Sequence, residues 1–358
     1  MSLNTPENPR RIGVWNTAFL GDAVLTLPLI ANLKEAWPEA EIHYFVRKGL
    51  EDLFQAQPEI TAVHAFDKQR KHRALSATIR YAFSHIAPLG LDLWVSAHAS
   101  PRSAVVAIGS GAKTRIGYNK PFLNNMLYSN TVSRRFNELE EIERLLLLLA
   151  PLGLAPRHVW PELALSGSAR LKADKVWSMG GLGLPGRPVM AVHPGSTWET
   201  KRWPEEYFSA LLRDLLNEDL DIILLAGPDE SNLAGRIVSP LEPDKKRPGR
   251  LFNLAGQLSL PELAAVISRL NLYVGNDSGP LHLAWTQRVP VVAVFGPTTR
   301  GLGFFPRGDS LVLERELPCR PCGLHGARHC RLGSHDCMKK ISPEETARAV
   351  REKLFHDR

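Results

Sequence analysis

Apolar residues in this chain fall into two kinds of block. Short, dense runs such as RIGVW (11–15), EIHYFVR (41–47), AVHAFD (62–67) and LDLWVSA (91–97) read as strands. Between the first two lies AVLTLPLIANLKEAWP (23–38), where Ala23, Leu27, Ile30, Leu33 and Trp37 recur at three- and four-residue intervals and predict a helix. A further helix is expected near 50–56. The order βαβαβ implies a parallel sheet with helices on both faces.

The alternation stops at 166–188, a segment that ends Gly/Pro-rich and reads as a domain boundary and linker. It then resumes. VMAVHPG (189–195), DIILLAG (221–227), LYVGN (272–276) and VPVVAVFG (289–296) predict strands, and residues 205–217 a helix. Ser259 with Glu262 forms a capping box ahead of another helix. Ser342, Pro343 and Glu345 start a last helix over 343–356. The expectation is an α/β chain of two doubly wound domains, 1–166 and 167–358, facing across a cleft. Ligands of such sheets bind beyond the carboxyl ends of strands.

Composition narrows this little. The 358 residues are 44% hydrophobic and 23% charged, as in a soluble globular protein, not a disordered one. The net charge of +7 suits an anionic substrate, nucleic acid or a membrane surface, and chooses none. The first ten residues are polar, so no secretory leader is expected. The densest apolar run, Leu145–Leu149, is far short of the roughly 18 residues that span a bilayer, and predicts a buried helix. A cytoplasmic protein, touching a membrane at most peripherally, is expected.

The chemistry concentrates at two strand-to-helix loops. Gly275–Gly279, in GNDSGPLHLAW, places Asp277 and Ser278 where a helix begins, with Pro280 in its first turn. A helix N-terminus exposes unpaired N–H groups and attracts anions, phosphate above all. Ser278 adds a hydroxyl, Gly279 permits close approach, and His282 lies one step along. Asp277 or Ser278 acting only as a helix cap is the plainer alternative. The loop HPGSTWETKRWP supplies Ser196, Thr197 and Lys201 at the corresponding edge of the same domain. Neither G-x-G-x-x-G nor G-x-x-x-x-G-K-[ST] occurs, so a nucleotide-diphosphate site of another design is expected.

HPGSTWETKRWP, then GNDSGPLHLAW and VFGPT, together with LGDAVLTLPLIANLKEAWPEAEIHYFV and TRIGYN near the N-terminus, resemble the ADP-heptose:lipopolysaccharide heptosyltransferases of glycosyltransferase family 9, type II among them. The resemblance implies the GT-B fold, two Rossmann-like domains with the active site between them. It also implies inverting transfer of heptose from ADP-heptose to the lipopolysaccharide inner core, either Kdo–lipid A or its heptosylated form. By position, Asp22 resembles the catalytic base, in a loop before the first long helix. Ser196, Thr197, Lys201, Ser278, Gly279 and His282 resemble the donor-phosphate cradle. Asp277 looks like a holder of sugar hydroxyls. Glu230, or equally Asp229, resembles a ribose contact. Inversion needs a base for the acceptor hydroxyl and stabilisation of the leaving diphosphate.

Within the basic stretch 68–80, Arg70, Lys71 and Arg73 are candidate contacts to acceptor carboxylates and phosphates, or else a solvated helical face. The rival readings are an epimerase or a transferase of another sugar on the same fold, and a nucleic-acid binder. No zinc-finger, RRM or helix-turn-helix pattern supports the last, so no nucleic-acid partner is expected. No catalytic cofactor is implied, and a monomer is expected. Cys319, Cys322, Cys330 and Cys337 form C-x₂-C-x₇-C-x₆-C, holding every cysteine of the chain within 19 residues. That pattern predicts a structural metal clip over the loop 319–337, zinc first and iron second. His325, His329 and His335 are substitutes for one ligand.

Overall fold

The computed structural model describes residues 8–122, 124–241 and 247–355. The chain divides into two compact units, Met1–Ala164 and Leu165–Arg358. The first holds strands β1 Arg11–Asn16, β2 Glu41–Arg47, β3 Ala62–Phe66, β4 Leu93–Ser96, β5 Thr114–Tyr118 and β6 Asn130–Val132. Their order is β3-β2-β1-β4-β5-β6. The second holds β7 Val189–His193, β8 Asp221–Leu224, β9 Arg250–Asn253, β10 Leu272–Asn276, β11 Val291–Phe295 and β12 Ser310–Glu314, in the order β12-β11-β10-β7-β8-β9. Every neighbouring pair is parallel. Each sheet is wound outward in one direction, then from the middle in the other. The strand order therefore reverses between β1 and β4, and again between β7 and β10, the places where such sheets bind ligands.

Burial explains the dense apolar runs. β7, β10 and β11 are buried at every position, because helices cover both sheet faces. In the first unit, right-handed crossovers put Leu20–Leu25, Leu27–Ala36 and Glu51–Phe54 on one face. Helices Leu75–Tyr81, Pro101–Gly109 and Asn124–Leu127 lie on the other, packed side by side in that order. Beneath this second layer sits an aromatic core of Trp15, Phe45, Phe66, Tyr81, Trp94 and Tyr128.

Several expectations are corrected. The helix predicted over 23–38 is two helices, Leu20–Leu25 and Leu27–Ala36. Pro28, which has no N–H to donate, sits in the first turn of the second. Asp22 therefore lies inside a helix, not in a loop before one. The helix near 50–56 shrinks to Glu51–Phe54. Segment 166–188 is no linker: the Ser166 hydroxyl accepts the Ala169 N–H at 3.2 Å and caps helix Gly167–Gly180. The basic residues 68–73 occupy a turn, and helix begins only at Leu75. The last helix runs Pro343–Phe355 with the Ser342 hydroxyl at its cap, residue 356 lying outside the described residues. Among the described residues no helix is long and apolar enough to cross a membrane.

Candidate active site

The loops after β7 and β10 flank the second strand reversal, and one residue braces them together. Asn276 donates to the Pro194 carbonyl at 2.7 Å and accepts the Trp203 N–H at 3.1 Å. The Trp203 indole in turn donates to the Ile341 carbonyl at 2.9 Å. Next to this brace, Lys201 Nζ lies 2.6 Å from Asp277 Oδ2, with side chains only 11% and 5% exposed. The Thr298 hydroxyl donates to the same oxygen at 2.7 Å. Burial alone would raise the Asp277 carboxyl. The Lys201 charge and hydrogen bond, with Thr298, outweigh it and hold the group below the usual carboxylate value. Asp277, expected to hold sugar hydroxyls, thus has Lys201 as its partner.

Helix Gly279–Thr286 starts immediately beyond, with Pro280 in its first turn. The Ser278 hydroxyl is buried with no partner at hydrogen-bonding geometry. It lies beside the buried Tyr273 hydroxyl, and a hydroxyl at a helix N-terminus is suited to an anion. His282 is buried, and burial pushes its pKa down to about 4. Trp285 Nε1 donates to its Nδ1 at 3.1 Å. An indole only donates, so the neutral ring carries its proton on Nε2. His282 is therefore a neutral N–H donor at pH 7.

Ser196 is buried, its hydroxyl directed at the Asp277 carbonyl at 3.4 Å, whereas Thr197 is exposed. Glu230 Oε2 accepts the Gly227 N–H at 3.1 Å and lies 3.6 Å from His193 Nε2. A Cβ on Gly195 would fall 2.1 Å from the Glu230 carboxylate, so glycine is what lets Glu230 rest against the loop. Asp229 is exposed. Burial lowers the His193 pKa despite Glu230, leaving a neutral ring beside the carboxylate.

The cysteine-rich segment is fastened to this site, by hydrogen bonds. Thr200 Oγ1 accepts the Ala327 N–H at 2.8 Å and donates to the Ala327 carbonyl at 2.6 Å. The His335 ring meets the Thr200 carbonyl at 2.9 Å, and Arg320 donates to the Thr298 carbonyl at 2.6 Å. Gly326, at φ +80°, packs 3.0 Å from the Thr200 hydroxyl if given a Cβ. The expected metal clip is not supported: among the described residues no three His, Cys, Asp or Glu side chains gather in a metal-holding arrangement. The four thiols differ in exposure, from exposed Cys319 to buried Cys337, which packs in the core beside Met338, yet they lie near enough for Cys319, Cys322 and Cys330 each to act on Cys337. Burial, with the neighbouring Cys319, Cys322 and Cys330, raises the Cys337 thiol to about 11.

In the first unit, Asp22 Oδ2 accepts the Phe19 N–H at 3.2 Å. Its carbonyl accepts from Asn16 at 3.1 Å and from the Thr26 hydroxyl at 2.8 Å. Asp22 is thus half-buried at the first strand reversal with its backbone pinned. Lys68 donates to the Thr17 carbonyl at 2.7 Å and lies over the Phe19 ring, as does Arg47. The charge of Asp22 reaches Lys68, Arg134 and Glu141. Asn16 and the Arg134–Glu141 pair lie in no recognisable motif; Thr26, within the segment 20–46, and Lys68, at the head of the basic stretch, become visible only through their partners. Arg70, Lys71 and Arg73 are exposed on the turn after β3, where Asp67 accepts the Arg70 N–H at 2.9 Å and Arg102 donates to the Arg73 carbonyl.

The sequence profile described as glycosyltransferase family 9 (heptosyltransferase) matches residues 90–322. Over 310 residues the chain is 24% identical to lipopolysaccharide heptosyltransferase 3 of Escherichia coli, covering 84% of this chain and 89% of that protein. A family 9 glycosyl transferase from Veillonella parvula matches in structure with TM-score 0.83 and 23% identity, covering 97% of this chain and 98% of the other. The E. coli heptosyltransferase WaaC, solved with ADP-2-deoxy-2-fluoro heptose, matches with TM-score 0.72 and 18% identity over 96% and 99% of the two chains.

Proposed function

We propose, from the premise that the chain belongs to glycosyltransferase family 9 (heptosyltransferase), that it moves heptose from ADP-heptose to the inner core of lipopolysaccharide with inversion at the anomeric carbon. The observation that carries this is the buried Ser278 hydroxyl at the start of helix Gly279–Thr286, beside the Tyr273 hydroxyl, Lys201 and a neutral His282. That set is built for a diphosphate. The helix N-terminus and Ser278 hydrogen-bond its oxygens, His282 donates from Nε2, and Lys201 contributes charge tempered by Asp277. Holding ADP also stabilises it as the leaving group. Asp22 takes the proton of the attacking acceptor hydroxyl with the carboxylate oxygen that is not bound to Phe19. Arg70, Lys71 and Arg73 face the acidic acceptor, and Glu230 the ribose. No catalytic cofactor enters the scheme.

The donor follows from the ADP-heptose analogue of the WaaC structure, and the acceptor from the name of the E. coli relative. Such an acceptor is lipid-anchored, so we place the enzyme in the cytoplasm, working at the inner membrane surface. ADP release should be measured from a panel of nucleotide sugars with Kdo–lipid A or its heptosylated form as acceptor. Acceptor-dependent release from ADP-heptose above all others is expected. Faster release from another sugar, or epimerisation without acceptor, overturns the reading.

A further inference from the structure

The basic character of the chain is local. Residues 68–137 carry eleven Lys and Arg against one acid, Asp92, a net of +10, while the whole chain is +7. Everything outside that segment is therefore net −3. The same segment forms the helical layer Leu75–Tyr81, Pro101–Gly109 and Asn124–Leu127 on one face of the first sheet. Its outer surface is unusually apolar. Leu75, Ile79 and Phe83 are 54%, 39% and 61% exposed and stand one helical turn apart, while Thr78, Tyr81, Ala82 and Ile86 face the core. On the neighbouring helix Ile108 is 45% exposed, and at the third Phe122 and Met126 are 78% and 76% exposed. Arg80, Lys113 and Lys120 are exposed within the same layer.

Isolated exposed apolar residues need no explanation, but six on three adjacent helices do. A protein partner could cover the apolar residues. Arg134 and Arg135 are paired with Glu141 and Glu138 beyond the segment, but a protein partner would not account for the exposed, like-charged Arg80, Lys113 and Lys120 within the layer, which anionic lipid headgroups attract. We propose that this layer is the face on which the protein docks to an anionic phospholipid bilayer, with Leu75, Ile79, Phe83, Phe122 and Met126 entering the headgroup–acyl boundary and the exposed Lys and Arg binding the phosphates. This rests on, and deepens, the membrane-surface part of the functional reading.

The test is co-sedimentation with vesicles of phosphatidylglycerol and phosphatidylcholine, or of phosphatidylcholine alone, containing no acceptor. The full chain should bind the anionic vesicles preferentially, and salt should weaken binding. The triple variant L75S/I79S/F83S should bind at least about tenfold less. R80E/K113E/K120E should lose about fivefold per residue. L171S/L184S, which alters exposed apolar residues of the second unit, should bind as the unchanged protein does. Circular dichroism and melting, expected to be unchanged because every altered side chain is exposed, exclude unfolding. Absence of binding to anionic vesicles overturns the proposal, as does wild-type binding by the triple variant. Lipid-free dimers that the triple variant abolishes would assign the face to a second copy instead. Turnover on a delipidated acceptor sugar separates the two readings: it should persist in the triple variant, and its absence from the unchanged protein would count against the proposed reaction, not against docking.

Discussion

Lys201→Ala tests the reasoning about the donor site most directly. The pair Lys201–Asp277 is nearly sealed from solvent at 2.6 Å. Removing one partner of a buried pair strands the other charge, typically at about 3–5 kcal/mol. With a urea slope of about 1–3 kcal/mol per molar, the unfolding midpoint should fall by at least about 1 M. The pH dependence carries a sign. In the unchanged protein Asp277 is held below its ordinary value, so its stabilisation is complete above the unfolded carboxyl value of about 3.9 and fades as pH falls through the lower folded value. Without Lys201, burial dominates and lifts the carboxyl above that ordinary value. The folded variant then binds the proton more tightly than the unfolded chain and loses stability as pH rises through the raised pKa. The penalty should therefore be largest near pH 7 and shrink toward pH 4. Adding Asp277→Asn should restore part of the loss, since the stranded charge is gone. Urea titrations of the four proteins of this cycle, at pH 4 to 8, decide it. A penalty independent of pH, or a coupling below about 0.5 kcal/mol, would refute the account.

Asp22→Asn should lower turnover by about 10²–10⁴ while ADP affinity and melting stay unchanged, because the amide oxygen can still accept the Phe19 N–H; turnover within tenfold of the unchanged enzyme moves the base elsewhere. His282, with a folded pKa of about 4 against roughly 6.5 unfolded, lends stability that is full above pH 6.5 and lost as pH falls toward 4. Nitrogen NMR should show an Nε2–H imidazole from pH 5 to 8, and an imidazolium at pH 6 would contradict its role as a neutral donor. Thiol titration of the native protein should find Cys319 fast and Cys337 slow, and chelator should leave melting unchanged; a stoichiometric metal whose removal lowers melting by more than about 3 °C would reinstate the metal clip.

The pattern of apolar blocks was enough to foresee two parallel sheets, because strands buried on both faces must be apolar throughout. β5 and β6 were missed because they are short and carry polar residues such as Thr114, Arg115 and Asn130. The two strand-to-helix loops were legible as elements, since Pro280, Gly279 and the Asp277–Ser278 pair mark a helix start; their use for a donor is the proposal. What could not be read is who partners whom. Lys201 beside Asp277, a proton on Nε2 of His282, and Thr200 laced to Ala327 are all set by burial and long-range packing, not by spacing. C-x₂-C-x₇-C-x₆-C is likewise a fact of sequence, whereas the unequal exposure of the thiols, Cys337 in the core and Cys319 outside, is set by the fold.

The fastenings of Thr200 and Trp203 bear on how the protein is made. Thr200 is held by Ala327 and His335, and Trp203 by Ile341, residues translated some 130 positions later. Domains of a growing chain fold in the order they emerge, at about 5–20 residues per second of synthesis. The first unit is complete at Ala164 and can close while the second is still being translated. The Trp203 indole must then wait roughly 7 to 28 seconds for Ile341. For that interval the nascent second unit lacks one of its late fastenings, and the cost of a slow codon or a stalled ribosome between residues 203 and 341 falls on that unit alone.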